Sequence, residues 1–347
     1  VARLTRAEAQ ERNRARVLAA ARAEFAERGF RETKIDVIAE RAELTRGAVY
    51  SNFPGKRALY FAVLAEDAEN ATPAPNPDVG LTPREALGAF ARAWVARLPL
   101  ATDREAARLG LDLMPEVMAS EQTSRPFAQL TRFIASLFGL ALERLDPVAG
   151  RKVRVAESAL TLLHGASQLA AAAPGFMEPF NVVTACEAFA DLDLRDTFPP
   201  VPPIVAPLRA VDEPWNPPDA IDLLDREPVR TGRGVVAILG LHRLSAAEEM
   251  LRAASPSDEV TIAFVTAEPA ELSALARLVI AEFRACLHQA FPHSAWPRVQ
   301  IVADDAGAFA AAAGVASVVD GTEVAIRVRD GRIIRRAEGF GAGHAVC

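Results

Sequence analysis

Eight prolines fall within the twenty positions from Pro199 to Pro218, and no regular helix tolerates that density. Proline fixes φ, lacks an N–H donor and pushes the preceding residue out of the α region. The stretch reads as a stiff, extended linker. It separates two parts of a 347-residue chain whose hydrophobic periods differ. Upstream, apolar residues recur at three-to-four spacing; downstream they come in short runs of strand type. The chain is long enough for two or three cores. The expected fold class is multidomain, an all-α part followed by an α/β part. Its expected divisions are a helical head at 1–55, an all-α body at 56–198, the linker at 199–233 and an α/β module at 234–347.

The head is three helices. Over Arg6–Arg28, Val17, Leu18, Ala21 and Phe25 make one apolar stripe, and Gly29 ends the helix in the manner of a left-handed cap. Thr33 opens a second helix, with Asp36 three positions on as in a capping box. Ile35, Ile38, Ala39 and Ala42 form its buried side. Thr45 caps a third helix, in which Val49 and Phe53 face inward and Arg46, Gly47, Tyr50 and Ser51 are left outside. Pro54-Gly55 stops it. Two short helices joined by a tight turn, the second with small and polar residues outward, form a helix-turn-helix. Such a face suits a DNA major groove. Gly47 and Ala48 allow close approach, Arg46 can donate two parallel bonds to a guanine, and Tyr50 and Lys56 can reach phosphates. Charge agrees: residues 1–62 hold 13 Arg/Lys against 8 Asp/Glu, while the whole chain is at −6.

Residues Thr33–Leu64, TKIDVIAERAELTRGAVYSNFPGKRALYFAVL, resemble the DNA-binding signature of the TetR/AcrR family of bacterial transcriptional regulators. The resemblance rests on Thr33, Ile38, Ala39, Ala42, Tyr50, Phe53, Lys56 and Leu59, and on AAARAEFAERGF before them. Two positions depart from the family pattern: Glu43 stands where glycine is usual, and Asn52 where histidine is frequent. At a positive φ, Glu43 would cost about 1–2 kcal/mol. The resemblance assigns DNA contacts to Thr33, Lys34, Thr45, Arg46, Gly47, Ala48, Tyr50, Ser51, Asn52 and Lys56. It also implies an all-α effector-binding body whose last two helices make a four-helix dimer interface.

That body is expected to contain helices near Pro83–Leu98, Asp103–Ala119, Arg125–Leu145, Arg151–Ala173 and Pro179–Leu192. Leu130–Leu145 is apolar over most of its circumference, as in a helix surrounded by others. Candidates for an effector pocket are Phe90, Trp94, Met114, Met118, Phe133, Leu137 and His164, weighed against their service as plain core. His164 draws interest because a buried imidazole needs a partner.

Beyond the prolines, strands are expected at Gly234–Gly240, Val260–Thr266, Val299–Asp304, Glu323–Gly331 and Arg332–Phe340. Helices at Ser245–Ala254, Ala270–Phe291 and Ala306–Ala313 separate the first four, and Asp330-Gly331 signals the closing hairpin. The order resembles a thioredoxin-type fold, and the ending VAIRVRDGRIIRRAEGF is similar to the closing hairpin of thioredoxin-like and peroxiredoxin-like proteins. The places for redox chemistry differ: LHRLSAAEEML has no cysteine, and DGTEV has no proline. Cys186, Cys286 and Cys347 form no CxxC pair, which suits a reducing compartment and no zinc site. GFGAGH at Gly339–His344 is not expected to precede a helix and so offers no nucleotide cradle. His288 and His293 lack further ligands at metal spacing, and Asp304-Asp305 is expected to cap a helix.

The expectation is a cytoplasmic, non-enzymatic repressor without cofactor or metal. It binds a near-palindromic double-stranded DNA operator as a homodimer, away from membranes, and is released by an unidentified small-molecule effector. No signal peptide or ~20-residue apolar span is read in the sequence. The rival readings are a DNA-tethered thiol oxidoreductase, and a regulator whose tail recruits a protein partner.

Overall fold

A computed structural model describes residues 5–71, 79–98, 109–148, 150–197 and 206–347. The first helix, α1 (Arg6–Glu32), starts on a capping box, with Thr5 and Glu8 exchanging side-chain bonds to each other's backbone N–H. It breaks at Gly29, whose φ of +77° lies where a Cβ is disfavoured. Then come α2 (Ile35–Arg41), α3 (Arg46–Tyr50) and α4 (Lys56–Asn70). The body adds α5 (Pro83–Val95), α6 (Leu113–Met118), α7 (Glu121–Leu145), α8 (Val153–Ala172) and α9 (Pro179–Ala188). Part of the helix expected over Asp103–Ala119 lies outside the described residues, as does the expected linker up to residue 205.

The second part holds a mixed sheet of six strands: β1 (Arg209–Pro214), β2 (Gly234–Gly240), β3 (Val260–Val265), β4 (Gln300–Ala303), β5 (Glu323–Arg329) and β6 (Arg332–Glu338). Their spatial order is β1-β6-β5-β2-β3-β4. β2, β3 and β4 run parallel, and β5 and β6 form the antiparallel hairpin. Asp330 and Gly331 both take positive φ at its tip, as a two-residue turn requires. The helices are α10 (Ala247–Ala253), α11 (Ala274–Ala290), α12 (Ala308–Ala312) and α13 (Ala342–Val346). Both Asp304 carboxylate oxygens accept from the first amides of α12, at 3.1 and 2.8 Å, so that aspartate does cap it.

Two expectations need correction. The extended stretch assigned to a linker over 199–233 is, from Ala206 on, part of the sheet module. β1 pairs with β6, and Trp215 is buried with its indole N–H donating to Thr231 O at 3.0 Å. Proline-rich backbone suits this place because an edge strand needs hydrogen bonds on one side only. Secondly, a helix does start within GFGAGH, at Ala342. Its first amides, Gly341 N and Ala342 N, donate to Glu323 Oε1 at 2.8 and 3.2 Å. A carboxylate of the same chain thus occupies the helix start that a phosphate would need.

The most consequential packing concerns α11. It buries Leu275, Leu278, Ile280, Phe283, Cys286 and Leu287 around its circumference, because α4, α5 and α7 pack against it and its apolar residues share one cluster with a face of the sheet. Phe283 joins the Phe90–Phe138 stack of the body, whose centroids are 4.2 Å apart. One apolar cluster therefore runs without a break from the head through the body to one face of the sheet. Ion pairs secure the seam: Arg57 to Glu271 at 2.7 Å, Arg151 to Glu248 at 2.8 Å and Arg252 to Glu143 at 2.9 Å. Burying such charges costs desolvation energy, so the pairs register the two parts more than they hold them together; apolar burial does the holding.

Candidate nucleic-acid interface and ligand cavity

The outer face of α3 is built locally. Thr45 Oγ1 accepts from Ala48 N at 3.2 Å and caps the helix. Val49 and Phe53 anchor it in the core, the latter beneath the Arg14 guanidinium at 4.6 Å. Arg46, Gly47 and Tyr50 remain exposed. A Cβ added at Gly47 would meet only Thr45 Oγ1, at an ordinary 3.8 Å. Nothing inside the chain therefore demands a glycine there, and the missing side chain leaves room for something outside. Arg46 lies 3.3 Å from Asp36 and 5.5 Å from the Tyr50 ring centroid. The phenol and the carboxylate hold its proton more tightly than usual. These contacts are solvated and easily exchanged for a base edge. Asp36 is the member of this group that sequence reasoning missed, having been assigned to a capping box.

Glu43 does adopt positive φ, +50°, in the turn between α2 and α3. Its carboxylate is met by Arg16 at 2.9 Å, so a side chain from α1 steadies the strained residue.

Four of the expected DNA contacts make hydrogen bonds inside the chain. Thr33 is buried, its hydroxyl donating to Gly29 O at 2.7 Å and Glu24 O at 3.2 Å. It seals the break in α1 and does not cap α2, whose first flanking residue is the exposed Lys34. The Lys56 ammonium donates to Phe30 O, Arg31 O and Thr33 O at 2.8, 3.4 and 3.1 Å, and sits 4.3 Å from the Phe30 ring centroid. With three protons and three carbonyls, it ties α4 to the end of α1. Ser51 Oγ and Asn52 Nδ2 both donate to Ala48 O, at 2.9 and 2.8 Å, and close the last turn of α3. The outward set is therefore Lys34, Thr45, Arg46, Gly47, Tyr50 and Ser51, with Ala48 beside them.

Deeper in the body lies a cavity of about 410 Å³. Trp94, Met114 and His164 line it as expected. Phe90, Phe133 and Leu137 are fully buried core and are not among its lining residues. Met118 is exposed at the surface. Arg97, one turn beyond Trp94, and Ser167, one turn beyond His164, also line it; i, i+3 spacing could have found both. No sequence signal pointed to Leu278, Glu282 and Phe283 of α11. The His164 ring lies edge-on to Trp94 and Phe127, at 5.0 and 5.9 Å. Burial, helped by the nearby Arg97 charge, pushes its pKa down to about 4, so it is a neutral imidazole at neutral pH.

Burial likewise pushes the thiols up: Cys186 to about 12, and Cys286 and Cys347 to about 11. Nucleophilic sulfur chemistry runs through the thiolate, so none of the three is set up for it. Among the described residues no cluster of His, Cys, Asp and Glu could hold a metal ion, and no helix is long and apolar enough to cross a membrane.

A capped short helix with a bare polar face, held by its inner side against a preceding helix, defines a DNA-binding helix-turn-helix. Residues 17–63 match the model of the tetR family of bacterial regulatory proteins, and the amino-terminal domain of this chain is a tetR-family DNA-binding domain. The chain is 41% identical over 81 residues to the HTH-type transcriptional regulator SrpR of Pseudomonas putida, covering 23% of this chain and 38% of SrpR. It is likewise 41% identical over 81 residues to the uncharacterized HTH-type transcriptional regulator TtgW, also of Pseudomonas putida, covering 23% of this chain and 60% of TtgW. It thus spans less than two thirds of either relative. A solved structure with similarity is NalD, the secondary repressor of the MexAB-OprM multidrug efflux pump in Pseudomonas aeruginosa. The identity is 21%, the coverage 53% of this chain and 95% of that one, and the TM-score 0.35.

Proposed function

We propose that the chain is a one-component transcriptional repressor that acts in the cytoplasm. As a homodimer it binds a near-palindromic operator, and a small molecule held in the helical body releases it. The observation that carries this reading is the outer face of α3, where a glycine without internal cause lies beside an exposed arginine and tyrosine. Both curated relatives bear the name HTH-type transcriptional regulator. The dimer is supported by Leu169, Phe176 and Phe180, exposed apolar residues at the end of α8 and the start of α9. A second copy is the occupant that would cover them and set two recognition helices about 34–36 Å apart. The effector is supported by the cavity, within the ordinary size range for small-molecule sites. Release requires that the effector prefer the form with wrongly spaced recognition helices, by a coupling of about 1–3 kcal/mol. The strand order of the sheet module suits a thioredoxin-type fold without redox chemistry, its cysteines being held as thiols.

A nuclease footprint of the purified chain on duplex from upstream of its own gene, with random competitor at moderate ionic strength, tests the reading. A protected, two-fold symmetric site with its half-sites about one helical turn apart is expected. Absence of any preference over competitor, or a monomer in sedimentation at micromolar concentration, would overturn it.

A further inference from the structure

Resting on the reading that the body holds an effector, we infer that α11 of the sheet module is a wall of the effector cavity. The module is then part of the sensor, and the ligand is an uncharged, mainly apolar molecule with one hydrogen-bonding group. Leu278, Glu282 and Phe283 face the cavity from α11, together with Trp94 and His164 of the body. The module is docked, not tethered: Arg284 donates to Glu69 O at 3.0 Å, and Glu271, just ahead of α11, pairs with Arg57. Both partners belong to α4, the helix whose first residue, Lys56, grips the end of α1. α4 is thus held by the module on one side and by the DNA-binding head on the other. A ligand that pushes on α11 therefore pushes on the helix that carries the head.

The chemistry of the lining sets the ligand class. Its charges are matched internally. Arg97 donates to Glu282 O at 3.2 Å and stands 3.7 Å from the Glu282 carboxylate, while Asp67 is paired with Arg22. Ser167 Oγ is used twice, accepting from Trp94 Nε1 at 2.9 Å and donating to Leu163 O at 3.0 Å. A charged ligand would have to break one of these pairs within an apolar enclosure, at a desolvation cost. The imidazole of His164, neutral near pH 7, is the group suited to meet a carbonyl or hydroxyl.

Benzophenone tests this on the unmodified full chain: it is uncharged, has two rings and one carbonyl, and attaches covalently to nearby C–H bonds on irradiation. Saturable labelling is expected on peptides from both 153–172 and 274–290. Leu278→Trp should lower it at least tenfold, and anionic 4-benzoylbenzoate should label at least tenfold less than benzophenone. Saturable labelling confined to the body would overturn the role of α11 while leaving an effector site in place. Stronger labelling by the anion would overturn the ligand class. Labelling that never saturates would overturn the effector reading itself.

Discussion

His164 links the cavity to pH. In the unfolded chain its pKa is that of an ordinary imidazole, 6.5; in the folded chain burial lowers it to about 4. Above pH 6.5 both states are neutral and the residue contributes nothing to the pH dependence. Between pH 6.5 and 4 the unfolded state takes up a proton that the native state refuses, so stability falls with falling pH. Below about 4 both are protonated and the loss levels off. The fall from 6.5 to about 4 corresponds to about 3 kcal/mol, of which about 2 kcal/mol is lost by pH 5. The perturbation is His164→Gln, which keeps a polar side chain of similar length and removes the titration. The assay is urea unfolding of both proteins at pH 7.5, 6.5, 5.5 and 5.0. The difference between them cancels the carboxylates common to both. Relative to the variant, the wild type should lose about 2 kcal/mol between pH 7.5 and 5.0. A difference that stays flat over this range would mean that the imidazole is solvated or paired in the native state, and would refute the burial argument and with it the neutral partner assigned to the ligand.

Three further outcomes follow from the head. Glu43→Gly relieves the strained turn while losing an exposed pair with Arg16, whereas Glu43→Ala loses the pair and keeps the strain; thermal unfolding should find the glycine variant more stable than the alanine one by about 0.5–1 kcal/mol. Lys56→Met removes an ammonium shared by three carbonyls and should cost about 2 kcal/mol of stability. Its salt dependence of DNA binding should stay unchanged, whereas a slope reduced by about one would return Lys56 to the phosphates. Asp36→Ala frees Arg46 from its neighbour and should tighten binding to the preferred duplex in titrations, while Arg46→Ala should relax sequence preference. If both variants bind every duplex alike, Arg46 does not read a base.

What the sequence determined alone was local. The small, polar outer residues of α3, the Thr45 cap, the strained position of Glu43, the strand runs and the Asp330-Gly331 turn are all set by neighbours a few residues away, and periodicity or turn chemistry reads them directly. Side chains that reach across the fold were not legible. Lys56 and Thr33 carry the chemistry of phosphate contacts, yet they satisfy carbonyls left open by the break at Gly29, a demand that exists only once α1 and α4 lie side by side. Pro199–Pro218 does mark a change of period, but the backbone after Ala206 finds a sheet edge with which to pair. Above all, the periodicity of α11 says that it is buried on every side and is silent about what buries it. Only the tertiary structure decided that its second face belongs to α4 and α5, because apolar surface has no address of its own and seeks whichever complementary surface the chain brings near.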